Sequence, residues 1–384
     1  MSATNELSDD ALRSLAETAA DEDTVLSVYV DLDPANFATP RARQSEIDSL
    51  LDDVHRQIEA GEHSHAALVS LRASLARARE LLAPDGDWAK DARAYALFLC
   101  QQLSLERGLR LPHPVASAAF IADVPFIAPL AEVGPAGRIC VALVDERFAR
   151  ILRGSADELH ELTSFGDPVH GRHDQGGWSQ PRYQRSIRED TQKHLRHVAR
   201  VLHDLLAVTP YQRLLVACTE PLWPRVVERL TPDVRRLLHS QRVALDVGDA
   251  RPADVLAAVQ PLLEAEQREH EDAVLAELRE HYARDGDGRA AVGLTPVLQS
   301  LVERRVKALV YDAQLRAAGV LCPRCAWMGV DGQRCPVDDQ PLEPRENIVD
   351  DALRAAAGQS AEILALRERP ELGPLGEIAA TLRF

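Results

Sequence analysis

Short runs of β-branched and aliphatic residues alternate along this chain with longer stretches of helical periodicity, and that alternation constrains it to an α/β fold. Residues 1–22 are polar and acidic, a mobile or helical lead-in. Residues 25–32 read as a strand that ends in the turn Asp33-Pro34. From about Arg41 to Leu82 the period is helical, broken near residues 61–64, with Leu68, Leu71, Leu75, Ala78 and Leu82 on one face of the second helix. Tyr95, Leu97 and Leu99 restart the strand period. A proline-rich stretch follows, with Pro112, Pro114, Pro125 and Pro129, and ends at residues 134–137, where a first domain boundary falls.

The middle of the chain opens on a buried strand at residues 139–145, with 146–152 as the returning strand of a hairpin. Residues 214–218 form another short apolar run, 221–230 and 232–240 read as helices, and 243–247 as a strand. This order predicts a partly parallel sheet. A long charged helix from about residue 253 to 284 carries the second boundary. Beyond it the pattern predicts a helix near 295–304, a strand at 308–311, a helix at 348–357, a strand at 361–366 and a closing strand within 375–384. With 384 residues the chain exceeds one typical core. Three domains are expected: 1–134, 135–265 and 266–384. A hydrophobic content of 46% excludes wholesale disorder.

Between the middle strands lies Gly176, Gly177, Trp178, Ser179, Gln180, Pro181, Arg182, Tyr183, Gln184, Arg185, preceded by the polar run 170–175. It reads as an exposed loop that opens a helix, with Pro181 suited to the first turn. Ile187, Leu195, Val198, Leu202 and Leu205 fall on one face of that helix, and Arg182, Arg185, Arg196 and Arg200 fall away from it. A glycine pair before a helix is also an ordinary way to enter one, and arginines on a helix are often only solvated. Here the neighbourhood tips the balance. Arg172, Arg182, Arg185, Arg188, Lys193, Arg196 and Arg200 outnumber Asp174, Glu189 and Asp190, in a chain whose net charge is -16. A basic patch against the global sign points to a phosphate-bearing partner for this face. The same net charge argues against a general, sequence-blind nucleic-acid binder.

Two Cys-Pro steps carry the second constellation: Cys322 with Cys325, then Cys335 with Asp338. Nine residues separate the steps, the spacing of a compact zinc ribbon across residues 322–338. Asp338 stands where a fourth cysteine would complete the set, so weak Zn²⁺ binding and a metal-free remnant both fit. Cys100, Cys140 and Cys218 lie in apolar strands and are expected to be buried and inert. His194 and His197 are three apart on the helix, but no carboxylate completes a metal-binding pattern there. Nucleophile-elbow, P-loop and dinucleotide fingerprints are absent from the sequence. With no secretory leader or membrane-spanning run, six cysteines suit a reducing cytoplasm.

The stretch from Gly176 to Arg185 resembles the signature of the bacterial relatives of archaeal and eukaryotic class-I peptide-chain release factors. Those factors carry Gly-Gly-Gln on a middle-domain loop, and their cousin, the tRNA hydrolase of ribosome quality control, carries Gly-x-x-Gln. Gly177 and Gln180 fit the second form. The resemblance runs from about residue 25 to the end, weakest in the first third. It implies a three-domain release-factor-like architecture, with a ribonuclease-H-like α/β middle domain. The C-terminal domain would be a kink-turn-RNA-binding-protein-like α/β fold with a zinc-ribbon-like insert.

It also implies hydrolysis of the ester between a nascent peptide and tRNA, with Gln180 positioning water and Gly176 and Gly177 letting the backbone approach. Arg172, Arg182 and Arg185 would meet phosphates of tRNA or ribosomal RNA, and Trp178 would stack on a base or pack its own loop. The expected activity is rescue of stalled ribosomes. The rivals are a non-catalytic hibernation or stress factor in the tRNA site, and an interaction module with no ribosomal role. The first third matches no stop-codon-reading motif, so no codon specificity is expected.

Overall fold

A computed structural model of the protein describes residues 7–20, 24–37, 39–61, 63–84, 86–90, 92–111, 113–133, 138–156, 158–166, 180–208, 210–283, 288–367 and 369–384. The chain divides into two compact units, one of residues 1–136 together with 270–384, the other of residues 137–269.

In the N-terminal part, α1 (Asp9–Glu17) is capped by Ser8, whose Oγ accepts from the Ala11 N–H at 3.1 Å. An antiparallel sheet follows, built of β1 (Val25–Asp31), β2 (Ala94–Cys100), β3 (Leu105–Leu111) and β4 (Ala118–Ala122) in the order β3-β2-β1-β4. Leu26, Val28, Val30, Tyr95 and Leu97 face helices α2 (Pro40–Ala60) and α3 (His65–Leu81). Both helices start on a side-chain cap. Thr39 caps α2 ahead of Pro40, and Ser64 caps α3 by accepting from the Ala67 N–H at 3.1 Å. The opposite sheet face, with Tyr29, Ala96 and Phe98, packs on α1 and α4 (Ala128–Val133).

Strands β3 and β4 occupy the stretch that composition marks as a proline-rich connection. β3 has charged residues between its leucines, yet it pairs with β2 from Ala94↔Leu111 to Cys100↔Leu105. Pairing, rather than intrinsic preference, makes it a strand. Gly108 is required within it, because the Tyr95 phenol fills the space a side chain would take.

The other unit holds β5 (Ile139–Val144), β6 (Phe148–Gly154), β7 (Leu159–Gly166) and β8 (Arg213–Ala217), in the order β7-β6-β5-β8. β5 and β8 are parallel, so the expected mixed sheet and hairpin are present. Helix α5 (Gln180–Val208) covers one face, with the short α6 (Trp223–Arg229) and α7 (Pro232–Arg236). Val255 and Val259 of α8 (Pro252–Ala283) cover the other. Two details differ from the sequence pattern. β7 is an additional strand, and residues 243–247 contribute only the bridge Ala217↔Val243.

The C-terminal part returns to the first unit. It contains β9 (Ala290–Val292), α9 (Leu294–Val302), β10 (Val306–Asp312), β11 (Gly319–Leu321), β12 (Met328–Gly329), β13 (Glu343–Arg345), α10 (Ile348–Gly358), β14 (Glu362–Leu366) and β15 (Ile378–Leu382). The main sheet runs β14-β10-β15-β9, with β10 and β14 parallel across the α10 crossover. α9 and α10 pack on one face, and Val274, Leu275 and Leu278 of α8 on the other. The small sheet β12-β11-β13 is inserted between β10 and α10. Within the described residues, no helix is long and apolar enough to cross a membrane.

The lead-in is helical and integral to its unit. Leu7, Leu12 and Leu15 are buried. Arg354 of α10 donates from Nε to the Ala16 carbonyl at 3.0 Å and from Nη2 to the Thr18 carbonyl at 2.8 Å. These bonds satisfy carbonyls at the end of α1 that the helix itself leaves open. Leu15→Ala is therefore expected to lower the unfolding free energy of this unit by about 2–5 kcal/mol in a urea titration. An unchanged midpoint would mean that α1 adds nothing to the core.

Candidate functional site

Helix α5 begins at Gln180, the residue that the Gly-x-x-Gln spacing singles out. Gly176, Gly177, Trp178 and Arg172 lie outside the described residues, as do the side chains of Gln180, Arg182 and Arg185. From Arg188 onward the helix shows its two faces. Thr191, His194, Leu195, Val198, Ala199 and Leu202 are buried, and Leu205 packs beside them. Arg188, Lys193, Arg196 and Arg200 are exposed. Lys193 has one loose partner, Asp190 at 3.9 Å. Arg188, Arg196 and Arg200 make no ion pair among the described residues. Four residues advance an α-helix by about 6 Å, so Arg196 and Arg200 form one ridge with Arg188 two steps back. Such a ridge offers several fixed, unneutralised charges to a row of phosphates.

The histidines of this helix serve packing. His194 is fully buried in the core beside Phe165, at a ring-centroid distance of 6.0 Å, and His197 lies 4.5 Å from the same ring. His203 Nδ1 sits 3.5 Å from the Thr231 hydroxyl. None of them belongs to a cluster of possible metal ligands among the described residues.

One such cluster is formed by Cys322, Cys325, Cys335 and Asp338, whose ligand atoms all lie within 4.8 Å of one another. Two equivalent turns bring them together. In the first, the Ala326 N–H donates to the Cys322 carbonyl at 3.0 Å and the Cys322 N–H to the Trp327 carbonyl at 2.8 Å. In the second, the Asp339 N–H donates to the Cys335 carbonyl at 3.0 Å and the Cys335 N–H to the Gln340 carbonyl at 2.8 Å. Ala326 and Asp339 hold the same left-handed φ, 58° and 57°. Asp338 therefore stands at the place in the second turn that Cys325 holds in the first.

The donor set fits a cation. Four ligands on a tetrahedral ion with sulfur bonds of about 2.3 Å stand about 3.8 Å apart. The Cys325 and Cys335 sulfurs are 3.4 Å apart, and Cys322 Sγ is 3.4 Å from Asp338 Oδ1. Burial works against the Cys322 thiolate, yet the N–H groups of Cys325 and Arg324 and two neighbouring thiols hold its pKa below the ordinary value. The Cys335 thiol, followed by the Gln340 N–H, likewise holds Asp338 below the usual carboxylate range. The backbone bonds also close each turn without an ion. Behind the ribbon, Gly319 lets β11 lie on α10, since a side chain there would meet Ile348 Cβ at 2.7 Å.

Comparison with known families supports the resemblance read from the sequence. The model of the family described as bacterial archaeo-eukaryotic release factor family 10 matches residues 125–267, a span that contains α5 and the Gly177-x-x-Gln180 motif. Over that span the chain is release-factor-like. Among solved structures, the archaeal translation termination factor aRF1 is 18% identical and covers 99% of both chains, at a TM-score of 0.27. Archaeoglobus fulgidus Pelota is 15% identical over 73% of this chain and 75% of its own, at 0.31. S. cerevisiae Dom34, described as a translation termination-like factor that interacts with Hbs1, is 11% identical over 76% and 86%, at 0.41. No curated protein matches the chain.

Cysteine accessibility separates the ribbon from the cores. Cys100, Cys140 and Cys218 are buried as expected, and burial pushes Cys140 up to about 12 and Cys218 up to about 11. Cys325 is exposed. With a chelator present, native protein is expected to react with an aromatic disulfide reagent at the ribbon, where Cys325 is exposed and the Cys322 thiol is held below its ordinary pKa, ahead of Cys140 and Cys218, as located by peptide mapping. Rapid labelling of Cys140 or Cys218 would contradict their burial.

Proposed function

We propose that this protein is a release-factor-like translation factor that docks the cationic face of α5 on RNA of a stalled ribosome and hydrolyses the peptidyl-tRNA ester through the loop ahead of that helix. The observation that carries the reading is α5 itself. It starts at the glutamine of Gly177-x-x-Gln180 and displays exposed arginines that make no ion pair among the described residues, in a chain of net charge -16. The aminoacyl ester is already activated, so the chemistry needs a positioned water and donors for the developing oxyanion rather than a strong base. Gln180 supplies both a carbonyl acceptor and an amide donor without titrating. Gly176 and Gly177 admit close backbone approach. The positive end of a 29-residue helix dipole stands at the same place. Arg172, Arg182 and Arg185 would meet phosphates of the tRNA end or of ribosomal RNA, and Trp178 would stack on a base or pack its own loop. The division at about residues 134 and 265 would give a ribonuclease-H-like middle domain carrying this loop. The last domain would be kink-turn-RNA-binding-protein-like, with the cysteine ribbon as an insert.

Gln180→Ala is expected to slow release of a model peptide from ribosome-bound peptidyl-tRNA by about a hundred- to a thousand-fold, while co-sedimentation with ribosomes persists. Unchanged hydrolysis in this variant, or none in the wild type, would end the enzymatic reading in favour of a non-catalytic ribosome binder. Release rates on sense and stop codons are expected to be equal. Arg196→Ala with Arg200→Ala should weaken ribosome binding and lower the slope of log K against log salt by about 1–2. An unaltered slope would remove α5 from the interface.

For the ribbon, Cys322, Cys325, Cys335 and Asp338 would hold one Zn²⁺, cross-linking the two turns. A carboxylate in place of the fourth thiolate makes the ion weak. Elemental analysis of protein purified without added zinc is expected to show less than one equivalent. Asp338→Cys should retain zinc at a chelator concentration that strips the wild type. A full, chelator-resistant equivalent in the wild type would refute the weak site.

A further inference from the structure

The unit formed by residues 1–136 and 270–384 contains a cavity of about 820 Å³ beside β4, far from α5 in sequence and outside the proposed reaction. One wall is aromatic. Phe120 of β4 stacks on Phe126 with centroids 3.8 Å apart. Tyr29 meets Phe120 edge-on at 6.4 Å and is fixed by its hydroxyl, which donates to the Phe126 carbonyl at 2.5 Å. These rings are locked before any ligand arrives.

Charged and amide side chains of the lining come from the C-terminal part of the same unit. Arg316 is anchored through Nη1, which donates to the Leu315 carbonyl at 2.8 Å and the Ala313 carbonyl at 3.2 Å. A guanidinium has five N–H donors, so others remain for a ligand. Arg367 is exposed and has no ion pair among the described residues. Asn347 and Asp350 complete this set. Asn347 is already engaged, accepting from the Ala317 N–H at 3.2 Å. Burial pushes the Asp350 carboxyl up, opposed by its hydrogen bond with Asn347 and the charge of Arg316.

The size lies within the range of small-molecule sites, about 300–1,000 Å³, and the lining has their usual character, mostly apolar with a few placed polar groups. We propose that this cavity is a binding site for a small organic anion with an aromatic body. The ring system would lie on the Phe120–Phe126 wall and the anionic group between Arg316 and Arg367. Neither half suffices alone. Inorganic phosphate would leave the aromatic wall wet, and a neutral aromatic would leave the guanidinium groups without a partner. The inference does not rest on the ribosomal reading, and its test uses no translation assay.

The test compares two fluorescent probes with nearly the same body, anionic 1-anilinonaphthalene-8-sulfonate and neutral N-phenyl-1-naphthylamine, titrated into the full chain. Wild type is expected to bind the sulfonate about tenfold more tightly, the worth of one charge-assisted contact. Arg316→Gln with Arg367→Gln should remove that preference and leave the neutral probe within about twofold, because both side chains are exposed and their loss does not open the core. Phe120→Ala, with its fold checked by circular dichroism, should weaken both probes. Equal wild-type affinity for the two probes would overturn the proposal. So would a double-arginine variant that still prefers the sulfonate, or a folded Phe120→Ala that binds both unchanged.

Discussion

Each main sheet is organised around a central strand that water does not reach. β1 and β5 are buried at every residue, and β10 is buried except at Lys307 and the half-exposed Asp312. A strand covered on both faces needs a helical layer on each, and this sets the rest of the architecture. α5 and the first part of α8 cover the β5 sheet. α9 and α10 cover one face of the β10 sheet, and the later part of α8 covers the other. The N-terminal sheet takes α2 and α3 on one side and, on the other, α1, α4 and a residue of α10. The first and last segments of the chain thereby share one core, and Arg354 ties α10 to the end of α1.

Covering β5 with α5 also dictates how the helix can function. One face is committed to apolar packing through Leu195, Val198 and Leu202, so only the opposite face remains for a partner. Among the described residues that face keeps arginines which no carboxylate pairs, although acidic residues outnumber basic ones in the chain as a whole. Charge segregation of this kind directs an anionic partner to one face and repels it elsewhere. The helix also sets the position of Gln180 at its first turn.

The ribbon shows a different economy of structure. Its two turns repeat each other bond for bond, down to the left-handed residues Ala326 and Asp339. The backbone therefore holds three thiols and a carboxylate close together before any ion is considered. Replacing one thiolate by Asp338 leaves the geometry of the turn intact and makes the ligand set harder at the same formal charge. Stability of the ribbon and affinity for an ion are in this way separable properties.

The alternation of apolar runs and helical periods was enough to place β1, β2, β5, β8, β10 and the long helices, because those elements bury a face and the pattern records it. The polar run at residues 61–64 made the α2–α3 break legible, and Cys-Pro spacing made the Cys322–Asp338 cluster legible. The basic run made the cationic face legible as a pattern, and burial of Leu195, Val198 and Leu202 then oriented it. Tertiary structure decided what local pattern does not encode. β3, β4 and β7 exist through pairing with neighbours, not through their own alternation, since strand preference is dominated by cross-strand context. His194 became a packing residue only once Phe165 lay beside it. The cavity at Phe120 unites side chains from residues 29, 120–126 and 316–367, and no local sequence pattern specifies such a juxtaposition because it arises from long-range packing alone.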